Sequence, residues 1–309
     1  MNLSNKIFFN KKILIYGMGK TGISSYNFLK KKNKIYLYDD DEKIVKRKFK
    51  KFFLNIKKIS KITFDFIVIS PGININECNL KNYLNKNSKK IVTDLDVFYS
   101  HYPKNKIIAI TGTNGKSTTA KVLNLILKNH KKDSRLCGNI GNPILLEKKI
   151  SKKTIFVIEA SSYQIDYSSL FKANYALILN ISPDHLERHG SFNNYVEAKF
   201  KLLKKQSKND FAFLNIKDKY IKKKVIKNKV LSKIIKVDLK VIQNFIKKIT
   251  NPYFLTLGNQ ENLAFIFSLG KKLKLQNKKI LKIINTFKGL KYRQEIIYKN
   301  NRITIINDS

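Results

Sequence analysis

At 309 residues and 43% hydrophobic content the chain is long enough for two domains with buried cores, and two cysteines in no paired pattern (Cys78 and Cys137) exclude a disulfide scaffold and give no zinc signature. The formal net charge of +42 comes almost entirely from lysines spread along the chain, since arginine occurs only at Arg47, Arg135, Arg188, Arg293 and Arg302. Readers of nucleic acid gather arginine forks on one element, so this charge assigns no nucleic-acid partner, although it would help steer a polyphosphate.

The opening MNLSNKIFFNKKILIYG lacks the shape of a signal peptide, and no apolar run reaches bilayer length. The expectation is a cytoplasmic chain without membrane insertion. KKILIY (11–16) is a short apolar run that enters Gly17-Met18-Gly19-Lys20-Thr21-Gly22. An amphipathic helix follows, then KIYLYDDD (34–41), a strand closing on acidic residues that include Asp39. FDFIVISPG (64–72) is a buried strand ending in a Pro-Gly turn. A G-x-G-x-x-G pattern between strand and helix suits a diphosphate, because glycines let the backbone approach and the helix N-terminus faces the anion. A tight turn without ligand would use the same glycines.

A second alternating block starts near Lys106. IIAI (107–110) predicts a strand, TGTNGKS a loop, and TTAKVLNLILKN a helix. In Thr111-Gly112-Thr113-Asn114-Gly115-Lys116-Ser117-Thr118 the backbone amides can wrap phosphate oxygens, Lys116 can reach the β- and γ-phosphates, and Ser117 can ligate Mg²⁺. Ile110 stands where the common pattern has its first glycine. TIFVIEASS (154–162), YALILNISPDH (175–185) and FAFLNIKD (211–218) read as further strands running into polar residues. Glu159 and His185 gain weight as ligands because they follow that loop on strands of the same sheet. The lysine-rich stretch 217–248 keeps Ile and Val spaced through it and reads as helices and strands. Strands alternating with helices imply an α/β chain with mostly parallel sheets and ligands at the strand C-termini.

TGTNGKST, EASSYQ, NISPDHLERHG and YVEAK together resemble the Mur ligase family, which joins amino acids to UDP-N-acetylmuramoyl precursors through an acyl phosphate formed with ATP. GMGKTGIS, ISPGI (69–73), GNIGNP (138–143), FKGLKYRQE and the final NDS are most similar to the branch that adds D-glutamate to UDP-N-acetylmuramoyl-L-alanine. The resemblance runs from residue 13 to residue 309 and implies a Rossmann-like UDP-binding domain (1–92), a P-loop ATPase domain (93–290) and the start of a third domain (291–309). Most of that third domain would fall beyond residue 309, so these residues alone are expected to bind the UDP-linked precursor without ligating D-glutamate. The resemblance implies a monomer.

Residue by residue, the resemblance implies that Gly17, Gly19, Thr21, Gly22 and Asp39 line the uridine diphosphate pocket, with Ser70 and Gly72 close by. Asn139 would contact the muramoyl substrate. Ser117 and Glu159 would hold one Mg²⁺, and His185 a second shared with Lys199, which the family carbamylates within Tyr195-x-x-Ala198-Lys199. Gly112 to Thr118, Asn259, Asn262, Arg293 and Asp308 would bind ATP, with Lys116, Asn139, His185 and Lys199 catalytic. Gly258 and Tyr292 stand where the family has histidine. The rivals are another Mur-type ligase, a folylpolyglutamate synthetase, which begins directly with its ATPase domain, and a nucleotide-binding remnant without ligase activity.

Overall fold

The computed structural model describes residues 7–44, 47–290, 295–300 and 303–307. Among these, four short strands form a parallel sheet: β1 (Lys12–Tyr16), β2 (Lys34–Tyr38), β3 (Phe66–Ile69) and β4 (Ile91–Val92), in the order β2-β1-β3-β4. Its helices are α1 (Lys20–Leu29), α2 (Ile56–Ile59) and α3 (Lys81–Lys86). Along β1, Ile13 and Ile15 join one apolar cluster while Leu14 and Tyr16 join another. This alternation, apolar on both faces, is what a sheet covered on both sides requires.

Helix α4 (Asp94–His101) leads to a second parallel sheet of β5 (Lys106–Thr111), β6 (Ser134–Gly138), β7 (Ile155–Glu159), β8 (Tyr175–Ile178), β9 (Phe211–Leu214) and β10 (Lys233–Lys236), in the order β10-β9-β8-β5-β7-β6. Its helices are α5 (Lys116–Asn129), α6 (Ser162–Tyr167), α7 (Leu186–His189), α8 (Phe192–Lys204), α9 (Lys219–Lys227), α10 (Gln243–Ile246), α11 (Leu257–Lys272) and α12 (Asn277–Thr286). Central β5 sends Ile108 and Ile110 into the cluster formed with α5 and α11, and Ile107 and Ala109 into the cluster that holds Tyr195 and Phe200 of α8. Each buried isoleucine among them contributes about 1.5–3 kcal/mol. An antiparallel pair, β11 (Glu295–Lys299) and β12 (Thr304–Asn307), closes the described chain.

Contacts on two sides reach from the unit of the first parallel sheet to that of the second. Helix α1 packs on the short 3₁₀ turn Ile144–Leu146 of the second unit. Arg188, in α7, reaches the Pro71–Ile73 turn after β3. The acids of α4 anchor the start of the second unit, just past β4, to its own residues 164–171. Asp96 accepts the amides of Thr93 (2.9 Å), Leu170 (2.7 Å) and Phe171 (2.9 Å) and the hydroxyl of Ser168 (2.5 Å), and Asp94 accepts the Gln164 amide at 3.1 Å. Burial raises the pKa of both carboxyls, Asp94 to about 6, and these donors hold the rise in check.

The predicted strands are present; β1 ends at Tyr16 as read and β5 runs one residue past its predicted end to Thr111, while β2, β3, β7, β8 and β9 end sooner than their sequence runs. β8 stops at Ile178, although the apolar pattern continues to Ile181, because Asn180 turns away to bond the neighbouring loop. Strands β4, β6, β11 and β12 are additions. Ser134–Gly138 has a polar start and a glycine end, so its sequence carries no strand pattern, and pairing along β7 decides its conformation. The stretch 217–248 contains α9, β10 and α10.

Candidate active site

Central β5, with β7 on one side and β8 on the other, delivers three loops to one sheet edge. The first is the 111–118 loop, which opens α5. Gly115 caps that helix with φ +80°, and a Cβ there would fall 2.1 Å from Asn262 Oδ1, so only glycine suits both the turn and the packing. The loop is braced from β8: Asn180 Oδ1 accepts the amides of Thr113 (3.1 Å) and Asn114 (2.8 Å), while its Nδ2 donates to the Asn114 carbonyl at 3.2 Å. Thr113 Oγ1 is 3.1 Å from the Tyr195 hydroxyl.

Two ammonium groups meet under this loop. Lys116 Nζ donates to the carbonyls of Gly112 (3.0 Å) and Thr113 (2.7 Å), and Lys199 Nζ donates to the same Gly112 carbonyl at 2.9 Å. Lys199 is 2% exposed. Burial, and secondarily the charge of Lys116, brings its pKa down to about 7, so a large neutral fraction exists near neutrality. α8 places Lys199 one turn after Tyr195, whose ring lies 4.3 Å from the ammonium.

A cavity of about 240 Å³ joins these groups: Lys116, Ser117, Asn139, Glu159, His185 and Lys199 all line it. Glu159 is buried at the end of β7, and the amide of Asn139 donates to the Glu159 carbonyl at 3.0 Å. His185 sits at the N-cap of α7 with φ 52°, its Nε2 3.5 Å from Asp184 Oδ2. Among the described residues no group of three or more His, Cys, Asp or Glu side chains is arranged to hold a metal. A buried carboxylate beside a loop hydroxyl nevertheless fits Mg²⁺, which takes one or two protein carboxylates and fills its shell with phosphate oxygens and water.

A second cavity, about 530 Å³, shares Asn114, Gly115 and Thr118 with the first and extends past Tyr253, Gly258, Asn259 and Asn262. Asn259 donates to the Tyr253 carbonyl at 2.7 Å, Asn262 donates to Asn259 Oδ1 at 3.2 Å, and the Thr118 and Tyr253 hydroxyls lie 3.0 Å apart. Arg293 and Asp308, also expected here, lie outside the described residues.

The glycine loop after β1 is built separately. Ser70 Oγ donates to the Gly17 carbonyl at 2.7 Å, and Asp39 Oδ2 accepts the Met18 amide at 2.5 Å. Gly22 lies so close to Gly17 that a Cβ would come within 1.8 Å of its carbonyl oxygen. Gly19 is the N-cap of α1, Thr21 lies in its first turn, and Gly72 offers its carbonyl to Arg188 at 3.1 Å.

Four residues of the site were missed in the sequence. Asn180 braces the 111–118 loop; its position just past β8, on the same edge, was the available signal. Ser161 and Ser162 line the first cavity. His189 is buried, which lowers its pKa, and its Nε2 is 3.0 Å from Ser162 Oγ.

Residues 11–92 match the model of the Mur ligase MurD-like N-terminal domain, and residues 110–262 match the Mur ligase middle domain. The chain is 35% identical to the UDP-N-acetylmuramoylalanine–D-glutamate ligase of Rickettsia prowazekii over 97% of this chain and 71% of the relative. It is 32% identical to the enzyme of that name from Caldicellulosiruptor saccharolyticus, over 97% and 73%. Among solved structures it resembles the Neisseria UDP-N-acetylmuramate:L-alanyl-gamma-D-glutamyl-meso-diaminopimelate ligase (TM-score 0.58, 12% identity, 91% of this chain and 99% of that one). It also resembles Thermotoga maritima MurF in complex with ADP (TM-score 0.53, 12% identity, 99% and 72%), and at these identities the likeness concerns the fold. The sequence matches, spread over both parallel sheets, go further than the fold, and by them the chain belongs to the Mur ligase family.

Proposed function

We propose that this protein uses ATP and Mg²⁺ to join D-glutamate to UDP-N-acetylmuramoyl-L-alanine, a step in making peptidoglycan precursor. The observation that carries the reading is the single cavity in which Lys116, Asn139, Glu159, His185 and Lys199 meet. The similarity to D-glutamate ligases supports the choice of amino acid. Residues 1–92 would bind the sugar nucleotide, residues 93–290 would carry the phosphate chemistry, and residues 291–309 would begin a further unit. Among the described residues no helix is long and apolar enough to cross a membrane. The cytoplasm, where this precursor chemistry would run, and a monomeric state belong to the proposal.

An oxygen of the alanyl carboxylate attacks the γ-phosphorus of ATP, the bond to the β–γ bridging oxygen breaks, and ADP leaves. The amine of D-glutamate then attacks the acyl carbon, gives up a proton, and inorganic phosphate departs. Bringing a carboxylate to a triphosphate gathers negative charge, so neutralising that charge is the protein's main task. Lys116 supplies one cation at the loop, and the loop amides, held in place by Asn180, supply donors. Asn139 would orient the muramoyl substrate. Ser117 and Glu159 would hold Mg²⁺, with His185 and Lys199 at a second ion; Mg²⁺ would offset phosphate charge. Lys199 would serve there as a carbamate, and its buried, readily neutral amine is the form that reacts with carbon dioxide. Asn259, Asn262, Arg293 and Asp308 would hold the nucleotide. Gly17, Gly19, Thr21, Gly22, Asp39, Ser70 and Gly72 would shape the UDP pocket.

The test measures ADP release with Mg-ATP in the presence of UDP-N-acetylmuramoyl-L-alanine or of UDP-N-acetylmuramic acid, which lacks the alanyl carboxylate. The expected result is stimulation by the alanyl compound alone. Equal release with both, or with neither present, would overturn the acceptor assignment.

A further inference from the structure

Arg188 is one of only five arginines in the chain, and its guanidinium crosses from the second unit to the first. Nη1 donates to the Gly72 carbonyl at 3.1 Å, and Nη2 donates to the carbonyls of Pro71 (2.6 Å) and Ile73. These three carbonyls belong to the turn that begins at Ser70, whose hydroxyl holds the Gly17 carbonyl of the glycine loop. A fork of fixed donors suits three converging carbonyls, which a lysine's point charge would engage less completely. On its other side the guanidinium lies 4.0 Å from the Tyr163 ring centre. That ring is 5.1 Å from His185 and 5.3 Å from His189, with which it stacks. His189 in turn contacts Ser162, which lines the phosphate cavity beside His185.

We infer that Arg188 is a positioning residue that couples the sugar-nucleotide loop to the phosphate cavity, so that filling either site favours filling the other. The inference rests on the ligase reading of the two sites. Its physical basis is a continuous set of planar, charge-assisted and stacked contacts, with the α7 turn carrying both Arg188 and the end next to His185. A ligand that orders the 70–73 turn fixes the carbonyls on which Arg188 rests, and thereby the rotamer of Arg188 over Tyr163. A ligand that orders His185 acts on the same ring from the other end. Coupling of this kind is reciprocal in the two affinities.

The experiment measures, by calorimetry with Mg²⁺ present, the Kd of a non-hydrolysable ATP analogue with and without saturating UDP-N-acetylmuramoyl-L-alanine, and the reverse. In the unaltered protein each ligand should tighten the other by the same factor, on the order of tenfold. In Arg188→Ala that factor should fall to within about twofold of unity, with the Kd of the ATP analogue alone little changed. Arg188→Lys, which keeps the charge and can reach one carbonyl, should retain part of the coupling. Tyr163→Leu, which leaves the carbonyl contacts in place and removes the ring, should lose most of it. A structural role alone would weaken both ligands without changing the factor, and that result would overturn the inference. So would a factor of one in the unaltered protein, or undiminished coupling in either Arg188→Ala or Tyr163→Leu. Failure of both ligands to bind singly would instead remove the ligase reading, and the coupling with it.

Discussion

Two glycine-rich loops leave parallel strands and enter helices in this molecule, and they use their glycines differently. Between β1 and α1, Gly22 is needed because its own backbone lies against the Gly17 carbonyl, and that carbonyl also accepts the Ser70 hydroxyl. Between β5 and α5, Gly115 is needed for its left-handed turn and for the Asn262 side chain beside it. The first loop is tightly packed against its own helix. The second is an arch propped from outside by Asn180, with Lys116 and Lys199 gathered beneath it. Similar glycine spacing therefore serves close packing in one place and a charged concavity in the other.

The contrast breaks most sharply at Gly22. Gly22→Ala sets a methyl against backbone that cannot turn aside, and the expected loss is roughly 3 kcal/mol in chemical denaturation. Gly19→Ala is the control: nothing lies within 4 Å of its added Cβ, and the loss should stay below about 1 kcal/mol. Equal losses would show that the first loop is not organised by close contact.

At the second loop the large effect should fall on binding. Lys116→Ala should weaken a Mg-ATP analogue by about 100-fold, roughly 2.7 kcal/mol, with the thermal midpoint moving by no more than about 2 °C. Unchanged affinity would remove Lys116 from the phosphates.

The smallest effect sharpens the comparison through pH. Lys199 titrates near 7 in the folded chain because it is buried, whereas a free lysine titrates near ~10.4. Between those values the unfolded state binds more protons, so stability rises with pH; below 7 both states are charged and the burial cost is fully felt. From pH 7 to 8 the protein should gain about 1 kcal/mol relative to Lys199→Met. Parallel pH profiles for the two proteins would mean that this ammonium is not desolvated.

Much of this organisation was legible in the sequence because it is local. The 111–118 loop, its strand and its helix are contiguous, and Glu159 and His185 each close a recognisable apolar run. Lys199 was legible only through its spacing from Tyr195, since any one lysine in so basic a chain carries little information. What stayed hidden depends on neighbours remote in the chain. Strand β6 exists by pairing with β7, and Asn180 matters because its amide meets a loop 66 residues earlier. Arg188 was visible as a rare arginine, but its three carbonyl partners lie more than 100 residues away, and no periodicity announces them. Arg293 and Asp308 fall outside the described residues.

The contacts between the two units have a mechanical consequence. A plate held at one point swivels, and held at two it swings about the line between them. Here α1 rests on Ile144–Leu146 and Arg188 holds the Pro71–Ile73 turn, while the acids of α4 fasten the start of the second unit to its own residues 164–171. Rocking of one unit on the other would have to break the Arg188 contacts or slide α1 over Ile144–Leu146. The same contacts that join the units are thus the ones any hinge between them would have to give up.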